Sequence, residues 1–476
     1  MSGGRYTLFR SDSIERQASL KFSKHRQYQA VLIASLAATA AGTLDGWMMM
    51  SVNMSGKAEY NSMAVYHFIS YMFAIIGAVT FGVISDNIGR KFALIIIGIV
   101  MLPVWILYMF ANAWTVAAGL VLSGLAAGGA TVAVPLYISD IADRSSRAIL
   151  IVIFYQLFIA GELVTFFGNP KERLASTASF GFLIALIFVL TFIWMPESPY
   201  HLISVGREID ARKSLEFFCG DWDVDTQVAL IKESTKNKKS LLAHIRDKSL
   251  RTPLLILAGL TTLSRLVAVD SFNYRLIKRH FYHNNEHVHA NANEAIKLGF
   301  GVNLALQLIV MGLGAFLIEK YGRRKLLYIS SFGISILAVP LMFAPFLSGY
   351  ELILLPLLFL YIGAFSIGLA TIPWILAGDL FAPEHKTVSY TVNAVLFWGM
   401  ASFAPERLIL AIRYFSNFFG VYFLFLTIAV VLYIKSVIPE TKDSNPSDIR
   451  AEIDALISRF QTRQTTTPAA VVNGFL

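Results

Sequence analysis

The feature that most constrains this chain is a series of apolar stretches, each about 20 residues long, which is the length a helix needs to cross a bilayer. In lipid, backbone groups must be hydrogen-bonded inside such a helix. Six stretches precede a polar segment and six follow it. We therefore predict an all-α membrane protein with twelve transmembrane helices in two six-helix bundles. The predicted spans are 30–52, 64–85, 92–111, 115–139, 149–168, 176–195, 253–276, 295–318, 326–346, 352–378, 388–404 and 415–437.

Composition excludes several other classes of protein. Hydrophobic residues make up 56% of the chain and charged residues 15%, whereas soluble domains carry about 25% charged residues. The single cysteine excludes a disulfide framework and a cysteine-rich metal site. The net charge of +9 fits basic cytoplasmic loops better than nucleic-acid binding, because the cations are unevenly placed along the chain.

Charge placement also predicts orientation and domain organisation. If the polar segment 201–251 and the N-terminal tail lie inside, the basic loops around Arg90, Arg147 and Arg323 lie inside too. Both termini are then cytoplasmic, and the plasma membrane is the expected location. The predicted parts are an N-terminal tail (1–28), a first bundle (29–200), a helical linker (201–251), a second bundle (252–438) and a C-terminal tail (439–476).

The two halves repeat one short loop. GVISDNIGRK follows the second span and FLIEKYGRRK follows the eighth, and both place an acid three residues before a Gly-Arg pair. Such a repeat is typical of transporters whose halves are related by an axis normal to the membrane.

Six ordered motifs resemble one known family. They are GVISDNIGRK, PLYISDIADRSSR, MPESPYHL, IEKYGRRKLL, IPWILAGDLF and IPETKD. Over about residues 29–450 the chain resembles the sugar porters of the major facilitator superfamily. Within that family it resembles the facilitative glucose or trehalose carriers of animals, including insects. The resemblance implies a carrier that exposes a central solute site alternately to each side, with sugar as partner and without a cofactor.

The loop motifs predict a charge network that holds the two halves together at their cytoplasmic ends. Arginines can form charge-assisted hydrogen bonds with the acids of the opposite half, although the cations could also serve only to set topology. Tyr200 stands where the family has an arginine, which puts one contact of the network in doubt. The expected members are Asp86, Arg90, Asp140, Arg147, Glu197, Glu319, Arg323, Arg324, Asp379 and Glu440.

Polar and aromatic residues inside the spans predict the solute site. By the resemblance, Gln156 and Gln307 bond sugar hydroxyls, and Trp374 and Trp398 stack on the sugar. An amide offers donors and acceptors, and an indole offers an apolar face with one donor. The alternatives are helix–helix hydrogen bonds for the glutamines and interface anchoring for the tryptophans. Pro373 is expected to bend the tenth span.

The seventh span departs from the family pattern. Ser264, Arg265 and Asp270 stand where sugar porters have glutamines and an asparagine. Arg265 and Asp270 could recognise a charged solute or form part of a gate, and we count both as candidate site residues. Because Asp45 of the first span lies at a depth similar to that of Arg265, we also predict an Asp45–Arg265 pair across the cavity.

The remaining expectations concern proton coupling, rival functions, metal binding and glycosylation. Proton-linked sugar porters have an arginine in the fourth span where this chain has Leu120, so facilitated diffusion is favoured over proton symport. The rivals to a sugar carrier are a carrier of a charged organic solute and a nutrient receptor that hardly transports. No catalytic constellation and no metal site is predicted, the histidine cluster His280–His289 fitting no standard spacing. Asn53 begins a weak glycosylation sequon.

Overall fold

A computed structural model shows a protein built of α-helices. It describes residues 24–47, 60–110, 112–143, 145–165, 173–219, 224–235, 250–267, 289–343, 351–403, 419–442, 449, 451–453 and 455.

Among the described residues, the first half contributes six long helices and three short ones. The long helices are α1 (Lys24–Trp47), α2 (Tyr60–Asn87), α3 (Arg90–Phe110), α4 (Ala113–Ile141), α5 (Arg147–Val164) and α6 (Arg173–Phe192). The short helices are α7 (Pro199–Ser204), α8 (Glu208–Cys219) and α9 (Val224–Thr235). The short helices are polar enough to lie outside a bilayer, and they enclose a small apolar cluster of Leu215, Val228 and Ile231.

The second half repeats the pattern with one interruption. Its helices are α10 (Arg251–Val267), α11 (His289–Tyr321), α12 (Arg323–Phe343), α13 (Glu351–Ile367), α14 (Ile372–Asp379), α15 (Lys386–Phe403) and α16 (Phe419–Val437). The tenth predicted span divides into α13 and α14. The break lies at residues 368–371, just before Pro373, where the predicted bend was expected. Among the described residues, seven helices are long and apolar enough to cross a membrane.

The surface of the long helices is apolar because it faces lipid. Phe110, Leu313 and Phe316 are 70%, 57% and 75% exposed, a pattern that a soluble protein avoids over so wide an area. Inside the bundles, small residues let helices approach closely. A Cβ added at Gly128 of α4 would lie 1.9 Å from the carbonyl oxygen of Ala74 in α2, so that crossing admits only glycine.

The two bundles meet along two pairs of helices. In one pair α2 packs against α15, and in the other α5 packs against α11. Helices α4 and α14 extend the contact between the halves. The domain boundaries given above remain predictions, but this interface places residues of both halves around the centre of the molecule.

Candidate functional site

A small cavity lies between the two bundles. One residue of its wall comes from the first half, Tyr155 of α5, and the others come from the second half. Those others are Thr261, Ser264, Arg265, Phe365, Leu369, Ala370, Pro373, Trp374, Asn393 and Phe397. The cavity has room for about one water molecule, so a sugar requires the halves to separate somewhat around it.

Aromatic rings form one side of this cavity. Trp374 lies 5.4 Å from Phe397 and 6.1 Å from Tyr155, measured between ring centroids. The guanidinium carbon of Arg265 lies 4.2 Å from the centroid of the Phe397 ring, which is a cation–π contact. Trp374 lies in the first turn of α14, directly after the break in the tenth span, and is buried there. The wall therefore combines flat apolar rings with one fixed cation.

Polar groups of α10 and α15 form the other side. The hydroxyl of Thr261 donates to Oδ1 of Asn393 at 2.6 Å, and Ser264 Oγ donates back to the Thr261 carbonyl at 2.9 Å. Both asparagine and threonine are buried. Sequence reasoning did not identify Thr261, Asn393, Tyr155 or Phe397, since nothing in a single sequence shows which face of a buried helix points inward.

The predicted site residues divide into two groups. Among the described residues, Trp374 and Arg265 belong to the cavity wall, whereas Gln156, Gln307 and Trp398 do not. Gln156 donates across the interface to the Leu308 carbonyl of α11 at 3.0 Å. Gln307 is buried on α11. The sugar-binding role of all five residues remains a prediction.

Trp398 takes part in a second hydrogen bond between the halves. Its Nε1–H donates to Thr131 Oγ1 of α4 at 3.0 Å, and its ring lies 5.2 Å from that of Phe397. The Gln156 and Trp398 bonds therefore tie α5 to α11 and α15 to α4 beside the cavity. Any motion that separates the bundles here breaks both.

The remaining predicted site residues lie elsewhere. Asp45 is buried on α1, and its pairing with Arg265 remains a prediction. Asp270, the sequon at Asn53 and the histidines at 280, 283 and 287 lie outside the described residues.

A charge network occupies the end of the bundles where α2 ends and α3 begins, and where α11 ends and α12 begins. We name this the basic end. In the first half, Arg90 Nε bonds Asp140 Oδ2 at 3.0 Å, and its Nη1 lies 3.9 Å from Asp86. Ser198 Oγ also donates to Asp140, at 2.8 Å. Arg90 also contacts His201, at 3.2 Å.

Glu197 caps the start of α3. Its carboxylate accepts from the backbone N–H groups of Arg90 and Lys91 at 2.9–3.1 Å. Burial raises the pKa of Glu197, while the N–H donors of Lys91, Ser198 and Arg90 and the Arg90 charge act in the opposite direction. The carboxylate thus stabilises a helix N-terminus that would otherwise lack acceptors.

The second half repeats this cap. Glu440 accepts from the backbone N–H groups of Arg323 and Arg324, each at 3.1 Å. The turns before the two caps use glycines at φ +124° (Gly89) and +87° (Gly322), a conformation that other residues rarely adopt. The repeated loops seen in the sequence therefore have the same local structure. Arg324 also donates to the Lys435 carbonyl at 3.0 Å within its own half, and Glu319 lies half-buried in the last turn of α11.

Contacts between the halves close the basic end. Arg147 of the first half lies 3.6 Å from Asp379 of the second, which Arg323 also contacts at 3.3 Å. Lys386 of the second half donates to the Ser139 carbonyl of the first at 2.7 Å and lies 4.0 Å from Asp140. We call Arg147–Asp379 and Lys386–Ser139/Asp140 the latch.

Two further contacts accompany the latch. Thr387 Oγ1 lies 3.4 Å from the Asp86 carboxylate, and a Cβ added at Gly82 of α2 would lie 2.4 Å from Thr391 Oγ1 of α15. Lys386 is the latch cation that sequence reasoning missed. Its ammonium lies 5.5 Å from the ring of Tyr200, the residue that stands where the family has an arginine.

Known structures share this fold. A proton:xylose symporter structure bound to 6-bromo-6-deoxy-D-glucose superposes with a TM-score of 0.74 at 18% identity, covering 90% of this chain and all of the other. A structure of the human organic anion transporter MFSD10 gives a TM-score of 0.60 at 13% identity, covering 86% of this chain and 99% of the other. At such identities the likeness concerns the fold, and it confirms the predicted major facilitator architecture.

Curated relatives are closer in sequence. Sugar transporter ERD6-like 16 of Arabidopsis thaliana is 26% identical over 399 residues, 79% of this chain and 80% of the relative. The facilitated glucose transporter member 2 of Sus scrofa is 26% identical, covering 78% and 73%. The facilitated trehalose transporter Tret1 of Polypedilum vanderplanki is 24% identical, covering 82% and 79%.

The family model described as "Sugar (and other) transporter" matches residues 28–451, almost the whole of this chain. Together with the two-bundle fold, this confirms the resemblance drawn from the motifs. The chain is a multi-pass membrane protein that belongs to the sugar (and other) transporter family.

Proposed function

We propose that this protein carries a sugar, a hexose or a disaccharide such as trehalose, by alternating access. The observation that supports this most directly is a cavity between the bundles combined with a closed latch at the basic end. Thr261 and Arg265 lie about 15 and 21 Å along α10 from Arg251, which is near the middle of a hydrocarbon core about 30 Å thick. A central site closed on one side is what a carrier of this kind needs.

The wall chemistry supports a sugar as the solute. Trp374 and Phe397 offer flat apolar faces that pack against sugar C–H groups, and Asn393, Thr261 and Arg265 offer polar groups at fixed positions. Gln156 and Trp398 lie next to this wall, and their present hydrogen bonds join the two halves. When the basic end opens, both side chains lose their partners and become available to the solute.

We infer that transport is facilitative. The fourth-helix position at which proton-linked relatives have an arginine holds Leu120, which is 2% exposed and packed in the bundle core. A leucine cannot supply the charge that proton-linked relatives place at this position. Net flux is then driven by the sugar gradient alone.

We further infer that the basic end faces the cytoplasm and that the plasma membrane is the site of action. The basic end holds Arg90, Arg147, Arg323 and Lys386, and cationic loops are retained on the cytoplasmic side. The short helices α7–α9 belong to the same end, because Ser214 of α8 donates to the Glu197 carbonyl at 2.6 Å.

Flux in liposomes tests the proposal. Purified protein is reconstituted and given labelled glucose, trehalose and an organic acid, with and without a protonophore. We expect saturable sugar flux that the protonophore leaves unchanged. Flux of the acid alone, or sugar binding without flux, would overturn the proposal in favour of a charged-solute carrier or a receptor.

A matched pair of variants links that flux to the cavity. Trp374→Ala removes an indole from the wall and is expected to lower sugar flux at least about tenfold. Trp114→Ala removes a tryptophan that is 86% exposed at the start of α4 and is expected to leave flux unchanged. Equal effects of the two variants would argue against a sugar site at this cavity.

A further inference from the structure

We propose that Asn393 of α15 is a substrate-binding residue whose side-chain N–H group donates a hydrogen bond to one sugar oxygen. This inference rests on the proposed sugar transport and assigns part of its specificity to a residue that no motif singled out.

The orientation of the amide is set by Thr261. The two side-chain oxygens lie 2.6 Å apart, a separation typical of an O–H···O bond and short for an N–H···O bond. Thr261 therefore donates its hydroxyl hydrogen to Oδ1 of Asn393. The carbonyl half of the amide is used for contact between α10 and α15, and the NH₂ half remains.

That NH₂ group has no protein partner among the described residues. Asn393 is 1% exposed, and its Nδ2 is buried without a hydrogen bond. The residue lies in the wall of the cavity, together with Trp374 and Tyr155. A buried donor without an acceptor is unfavourable, so the amide is poorly explained as a purely structural contact between helices.

A contact that only held α10 and α15 together would not require an asparagine. A hydrogen bond between α10 and α15 could be made by two hydroxyl groups, and the accepting hydroxyl could donate its own hydrogen to a carbonyl of its helix, as Ser264 does. Asparagine instead adds two N–H donors at the level of the aromatic rings, where a solute held against Trp374 would present its hydroxyl and ring oxygens. Because Oδ1 already accepts from Thr261 while both N–H groups lack a partner, we expect Asn393 to contact the sugar as a donor.

This polarity predicts how sugar analogues behave. Replacing a hydroxyl by fluorine keeps a weak acceptor and removes the donor, whereas replacing it by hydrogen removes both. At the ring position that Asn393 contacts, the deoxyfluoro sugar should therefore bind better than the deoxy sugar.

The experiment measures competition for labelled glucose by the deoxy and deoxyfluoro series at each carbon, both as equilibrium binding to detergent-solubilised protein and as uptake. In the wild-type protein we expect one ring position at which the deoxyfluoro sugar competes about five- to tenfold better than the deoxy sugar. Asn393→Ala should remove that difference at that position alone and raise the glucose Kd several-fold. Thr261→Val, which frees the amide to turn, should reduce the difference.

A control variant separates the loss of the Asn393 donor from a general disturbance of the protein structure. Asn303→Ala removes another buried amide of the second half that is not part of the described cavity wall, and it should leave the pattern intact. An unchanged analogue pattern in a folded Asn393→Ala protein that still binds glucose would overturn this inference while leaving sugar transport in place. Absence of glucose and trehalose binding in the wild-type protein would overturn both.

Discussion

Arg147 offers the most direct test of the latch, because it is the arginine that joins one half to the other. At 3.6 Å from Asp379 and an effective dielectric constant of about 20, the attraction is about 5 kcal/mol before desolvation. Arg147 keeps 16% of its side-chain surface exposed, and Asp379 retains Arg323 after the change. We therefore expect Arg147→Gln to weaken the closed state by only about 1–2 kcal/mol, a five- to 30-fold shift.

A cysteine at Ser139 reports this shift. Ser139 is 1% exposed beneath the latch, and its carbonyl accepts from Lys386. The native Cys219 is replaced by serine, although burial already raises its pKa to about 11 and keeps its thiol un-ionised. In a Ser139→Cys background, Arg147→Gln should raise the rate of maleimide labelling about five- to 30-fold, following the open fraction.

The control is Arg212→Gln, which removes an arginine paired with Glu208 and Asp225 at the exposed surface of α8. It should not change the labelling rate. If Arg147→Gln labels within twofold of the parent protein, the Arg147–Asp379 contact does not hold the basic end closed, and the latch argument fails.

Three further predictions test other contacts. Gly82→Val should abolish sugar flux with little loss of thermal stability, because its Cβ would meet Thr391 across the interface between the halves. Gly128→Ala should instead lower thermal stability, because its Cβ would meet the Ala74 backbone within one bundle. Thermal melting and sugar flux, measured on both variants, separate the two effects. Glu197→Gln and Glu440→Gln should each cost about 1 kcal/mol in unfolding experiments, as the loss of helix caps does, and unequal costs would contradict the equivalence of the two loops. Thr131→Val removes the acceptor of the Trp398 N–H and should increase Ser139→Cys labelling, while no increase would show that this bond does not restrain opening.

Much of the fold could be predicted because the bilayer imposes length and apolarity on each span. The third span, predicted at 92–111, is α3 at Arg90–Phe110. The first span was placed at 30, yet α1 already includes Lys24. Its extra turn is polar. Gln27 in that turn is fully buried, and its side chain donates a hydrogen bond to the Phe218 carbonyl of α8. Apolarity locates the membrane part of a helix but not its extension into a polar contact.

The cavity could be predicted only in part. Trp374 was found because it matches a tryptophan position of the family that the chain resembles, and Arg265 because a charge inside an apolar span is conspicuous in the sequence. Thr261 and Asn393 are 132 residues apart and ordinary in type. Their contact depends on the rotation of two helices about their axes, which a nearly uniform apolar sequence does not specify.

The acids and cations of the latch have the same spacing in the two halves of the sequence. Asp140 precedes Arg147 by seven residues, and Asp379 precedes Lys386 by seven. In the structure these pairs cross over, so each half's cation lies near the other half's acid, at 3.6 and 4.0 Å. Each acid also holds an arginine of its own half, Arg90 or Arg323. The halves are thus joined by reciprocal contacts that cannot form within either half alone, which is why they restrain the relative position of the bundles and leave the fold of each bundle unaffected.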